Sequence, residues 1–166
     1  TSNFFAAPSI TSFSPTNGRS GTNVIITGKN LLGTTYVKFN GVSAPIFIAN
    51  SNTQISVILP VSATTGPINM ATPGGQFYTT SNFVVQPSIF SFSPYFGKPG
   101  TNVTIIGVNL NGATSVSFNG ATVAPSGVTE NQLNAVVPGG ATSGPLTVTT
   151  TNGSAITISN FYLPPV

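Results

Sequence analysis

Residues 8–42 recur without a gap at residues 87–121, and 22 of the 35 positions are identical. After a one-residue deletion the register resumes: Pro60 matches Pro138, Gly66-Pro67 matches Gly144-Pro145, and Ser81-Asn82-Phe83 matches Ser159-Asn160-Phe161. The offset of the first block is 79 residues, enough for one small domain but too short for two. The chain is therefore expected to hold two copies of one fold, 8–86 and 87–166. The first seven residues remain outside both.

Each copy reads as β-structure. Val, Ile, Thr and Phe, which suit a pleated half-buried surface, dominate the apolar content. Short runs are separated by Gly, Pro and Asn, the punctuation of turns. In the first copy strands are expected at residues 23–27, 36–39, 46–49, 54–59, 67–72 and 76–85. Tyr36-Val37-Lys38-Phe39 alternates polar and apolar, so Val37 and Phe39 should face a core, as should Val116 and Phe118 in the second copy. Asn-Gly pairs begin at positions 17, 40, 111, 119 and 152, and such pairs favour tight turns needing positive φ. No window has a helical period. The expected fold class is all-β: two tandem sandwiches plus a surplus N-terminal strand.

Charge is nearly absent. Arg19, Lys29, Lys38, Lys98 and Glu130 are the only Asp, Glu, Lys or Arg residues, and there is no His, Cys or Trp. General acid–base catalysis needs two groups with separated pKa values. Zinc wants His or Cys, and calcium several carboxylates. An enzyme is not expected, nor a cofactor or metal; catalytic, cofactor and metal residues are all none. Four scattered cations do not make a phosphate footprint, so the sequence pI of 9.6 reflects missing acids and no nucleic acid is expected. The apolar runs are too short to span a membrane.

The ordered set P-S-I-x-S-F-S-P, G-x-x-G, V-x-I-x-G-x-N-L, V-x-F-N-G, then P, G-P and a closing S-N-F, present twice, resembles the IPT/TIG domain. The resemblance covers nearly the whole chain. It implies an immunoglobulin-like, non-catalytic sandwich used for binding, spacing or association. The chain lacks the basic loops of the transcription-factor branch and the cysteines of the receptor branch. It is most similar to the bacterial cell-surface branch, which implies an extracellular location.

Thr1-Ser2-Asn3-Phe4-Phe5-Ala6-Ala7 aligns with Thr80-Ser81-Asn82-Phe83-Val84-Val85-Gln86, the closing strand of the first copy. It is either a stub of a longer array or a donor strand, with Ser2, Asn3, Phe4, Phe5 and Ala6 as the candidate subunit interface. Phe4 and Ala6 would then point into a core. Edges without charges leave strands open to pairing, and low net charge favours association. The leading expectation is a structural subunit of an extracellular filament, a head-to-tail homopolymer joined by strand exchange. The alternative is a binding or spacer module of a larger surface adhesin or glycan-acting enzyme. Glycan is the other candidate partner, because Tyr36, Tyr78, Tyr95, Phe96 and Tyr162 offer rings for sugar stacking. Tyr95 and Phe96 replace Thr16 and Asn17 of the first copy, which marks them as a candidate contact patch.

Overall fold

Alternating apolar residues build the strands, and glycines and asparagines decide where they may touch. A computed structural model describes residues 5–165. Backbone contacts separate two compact units at Val85/Gln86.

Unit 1 contains β1 (Ser9–Ser14), β2 (Asn17–Gly18), β3 (Asn23–Lys29), β4 (Tyr36–Phe39), β5 (Val42–Ser43), β6 (Phe47–Ser51), β7 (Gln54–Ile58), β8 (Gly66–Thr72) and β9 (Gly75–Val85). These form a sheet of order β1-β3-β7-β6 and a second of order β2-β9-β8-β4-β5. Val24, Ile26, Ile55 and Val57 of the first sheet meet Val37, Phe39, Ile68, Met70, Phe83 and Val85 of the second in one buried cluster. Phe39 and Phe83 pack edge to face, with centroids 5.2 Å apart, a geometry aromatic quadrupoles favour.

Unit 2 contains β10 (Ser88–Ser93), β11 (Asn102–Val108), β12 (Ala113–Phe118), β13 (Ala121–Val123), β14 (Gln132–Val136), β15 (Gly144–Thr150) and β16 (Gly153–Phe161). Its sheets run β10-β11-β14 and β13-β12-β15-β16, and the core again holds an edge-to-face pair, Phe118 and Phe161, at 5.4 Å. Val116 and Phe118 are fully buried, as their alternation predicts. No helix among the described residues is long and apolar enough to cross a membrane.

The repeated glycines and asparagines have specific causes. Gly28 and Gly107 lie where β1 and β10 cross close to β3 and β11; a Cβ would overlap the carbonyl oxygens of Ser9 and Ser88 respectively. Asn40 and Asn119 sit at φ of 46° and 48°, the left-handed region that Asn tolerates. Their side-chain amides donate to Thr64 Oγ1 and the Thr65 carbonyl in one unit, and to Thr142 Oγ1 and the Ser143 carbonyl in the other. Gly66 and Gly144 clear space for those asparagines.

Three expectations need revision. Asn17-Gly18 is not a tight turn: it forms β2, pairing in parallel with Val84 and Val85. The Ser- and Pro-rich motif at residues 8–15 contains β1, absent from the expected strands because a register shift between Ile10 and Ser12 breaks its alternation. Unit 2 has no counterpart of β6 among its named strands; there Ser126 makes a single bridge to Asn134.

Candidate functional site

Two groups of tyrosines are brought together, one in each unit. In unit 1 burial of Val37 and Phe39 turns Tyr36 and Lys38 to the outer face of β4. Strand register then aligns Lys38 with Asn69 and Asn69 with Tyr78, while Tyr36 aligns with Ala71 and Ala71 with Gln76. Adjacent strands lie about 4.8 Å apart, so Lys38 and Tyr78 stand roughly 10 Å apart across the sheet.

Tyr36, Lys38, Asn69, Gln76 and Tyr78, with Asn40, Gly41 and Pro67, line an open groove of about 400 Å³. The Lys38 ammonium lies 4.7 Å from the Tyr36 ring centroid, within cation–π range. Tyr78 is 59% exposed, so its ring is available to a ligand. Asn69 is buried at the centre of the face, and its Nδ2 donates to the Phe77 carbonyl at 3.1 Å. The amide orientation leaves the Asn69 side-chain oxygen as an acceptor. Rings, amides and one cation thus share a surface on which a flat, hydroxyl-rich ligand could lie.

Unit 2 lacks this chemistry at the same register. Ser117, Thr147 and Ile156 occupy the line equivalent to Lys38, Asn69 and Tyr78; Ser115, Thr149 and Ser154 occupy the other. Its tyrosines gather elsewhere. Tyr95 and Phe96 are joined by Tyr162, which the local sequence did not place beside them. The Tyr162 amide donates to the Tyr95 carbonyl at 2.9 Å, and the Gly97 amide donates to the Tyr162 carbonyl at 3.1 Å. Their exposures are 52%, 71% and 55% in chain order. The Tyr95 ring packs edge to face on Phe92 at 4.9 Å, leaving Phe96 as the most exposed ring of the three. Unit 1 keeps the same backbone pairing with Thr16, Asn17 and Val84.

The architecture and the repeated motifs coincide. The IPT/TIG domain family matches residues 8–85 and again 87–163. The chain belongs to the IPT/TIG family. No curated protein matches it. Among solved structures, one described as "with xylogluco-oligosaccharide" is 23% identical, with a TM-score of 0.50 over 95% of this chain and 41% of that one. The surface glycan-binding protein PbSGBP-B from Prevotella bryantii is 17% identical, with a TM-score of 0.50 over 93% of this chain and 42% of its own. These likenesses show the fold. The IPT/TIG chain spans about two-fifths of the length of either structure.

Of the candidate donor strand, Ser2, Asn3 and Phe4 lie outside the described residues. Phe5 and Ala6 are exposed and belong to no strand. The Ala7 carbonyl accepts from Asn30 Nδ2 at 3.0 Å. Gly74 permits the close approach of the Ala6 carbonyl, where a Cβ would collide.

Lys38, Asn69 and Gln76 were missed as site residues. Their signal was the contrast between copies: Tyr36 and Lys38 become Ser115 and Ser117 at otherwise matching positions. No cluster of His, Cys, Asp or Glu suited to a metal exists among the described residues.

Proposed function

We propose that this chain is a non-catalytic, glycan-binding segment of a larger cell-surface protein, and that unit 1 carries the binding face. The observation that carries this reading is the groove joining Tyr36 and Tyr78 to the amides of Asn69 and Gln76. Sugar rings present apolar C–H faces to aromatic rings and hydroxyls to amides. An open sheet face admits the middle of a polymer as readily as its end. The occurrence of this fold in a surface glycan-binding protein supports the class of ligand and the location.

Immobilised polysaccharides and a glycan array test the reading. The native chain is expected to be retained, with Tyr78→Ala and Tyr36→Ala each weakening binding about tenfold or more. Loss of one stacking ring removes roughly 1–3 kcal/mol, judged from aromatic stacking platforms for other ring ligands. Both tyrosines lie outside the core, so the thermal transition should stay within a few degrees of native. Retention of neither polymer nor oligosaccharide by the native chain would overturn the reading.

Self-association is the second reading, and one observation favours it. Phe90 and Ile158 are 60% and 102% exposed on neighbouring edge strands of unit 2, and both line one shallow groove. A surface of this kind is a liability unless covered. Negative-stain microscopy of the full chain beside a version lacking residues 1–7 tests strand exchange: filaments from the first alone support it, and monomers in both overturn it.

A further inference from the structure

The charge of this chain is distributed unevenly, and the imbalance falls on the candidate binding face. Arg19, Lys29 and Lys38 all precede Val85, and no Asp or Glu does; the second unit has Lys98 and Glu130. The whole formal charge of +3 therefore resides in unit 1. Of its three cations, Lys38 is the one lining the groove between Tyr36 and Tyr78. No carboxylate from residues 1–85 is available to neutralise it, because that stretch contains none. In place of a counter-charge the ammonium rests on the face of the Tyr36 ring at 4.7 Å. That contact leaves its hydrogen-bond donors for a ligand.

We propose that the unit 1 groove selects acidic saccharides, in which the carboxylate of a uronic acid residue takes hydrogen bonds from Lys38 Nζ. The proposal rests on the glycan reading above and narrows it. Tyr36 and Tyr78 supply stacking for sugar rings on either side of the charged one. Asn69 on β8, the strand between them, and Gln76 on β9 with Tyr78 lie within the same groove and offer amide partners to hydroxyls. A charge-assisted hydrogen bond is roughly twice as strong as a neutral one. It also discriminates, since a neutral sugar offers the ammonium hydroxyl acceptors without the opposite charge. A single cation in the groove does not fit a nucleic acid, whose backbone needs several clustered cations. The same line in unit 2 carries Ser117 in place of Lys38 and Ile156 in place of Tyr78, so selection should be a property of unit 1 alone.

The test compares polygalacturonate with the same polymer after carboxyl reduction, which keeps the backbone and removes the charge. Binding of the full chain is measured by affinity electrophoresis and calorimetry at low and at physiological salt. The native chain is expected to prefer the acidic polymer about tenfold or more, from one charge-assisted contact per site. Lys38→Gln should erase that preference while retaining the residual, tyrosine-dependent binding of the reduced polymer. Lys29→Gln removes the same charge from the other sheet and should leave the preference in place. Equal, tyrosine-dependent binding of both polymers would overturn acidic selection and leave the glycan reading standing. An equal loss in the two lysine variants would also overturn it, because the charge would then act diffusely. Binding of neither polymer, nor of any glycan on an array, would overturn both.

Discussion

Replacing Phe83 by alanine is expected to unfold unit 1 while unit 2 keeps its own transition. Phe83 is fully buried on β9, where it packs edge to face on Phe39 at 5.2 Å and against Phe13 at 6.2 Å. The Phe13 ring is half-buried over the same cluster, so truncation empties the space between both sheets. Removing a buried phenyl ring costs about 3–5 kcal/mol, against a total of about 5–15 kcal/mol for a domain. Urea denaturation followed by tyrosine fluorescence should show an early transition for the unit containing Tyr36 and Tyr78. Phe161→Ala, the equivalent change against Phe118, should move the other transition instead. A single transition shifted identically by both variants would refute separate cores.

Gly28→Ala is expected to be nearly as damaging, although it adds only a methyl group. Its Cβ would overlap the Ser9 carbonyl oxygen and crowd the Ile10 backbone. Gly28 pairs with Ile10 in the β1–β3 ladder, and its amide donates to the Thr53 carbonyl at 3.0 Å. Neither neighbour is a flexible side-chain tip that could swing aside. The methyl fits only if β1 lifts from β3, giving up ladder hydrogen bonds and exposing the half-buried Ile10 and Phe13 beneath. Overpacking costs typically about 1–3 kcal/mol, and more where backbone must move. The expected result is a fall in unit 1's urea midpoint, with faster amide exchange along residues 9–14. Gly107→Ala should do the same to unit 2 through Ser88. An unchanged midpoint would show that the strands separate without cost.

Much of the fold was legible in the sequence. The repeat set two domains, and alternation in Tyr36-Val37-Lys38-Phe39 assigned Val37 and Phe39 to the core correctly. Legibility failed where a local rule met a long-range one. Asn17-Gly18 has the composition of a hairpin turn, yet it pairs with Val84 and Val85, more than sixty residues away. The β1 segment escaped because the shift at Thr11 puts successive side chains out of phase, and periodicity reads only regular strands.

The candidate site divides in the same way. Tyr36, Tyr78, Tyr95, Phe96 and Tyr162 were each visible as rings, and the Tyr95-Phe96 pair stood out because it replaces Thr16 and Asn17 of the first copy. Nothing local joined Tyr36 to Tyr78, or added Lys38, Asn69 and Gln76, since they come from three strands. Sequence by itself determined the repeat, the apolar spacing of each strand and the scarcity of charge, all properties of residues close together in the chain. Tertiary structure alone decided which rings share a face, because sheet order and register set that. Those depend on how two apolar faces close over a common core, a choice made by contacts between residues distant in sequence.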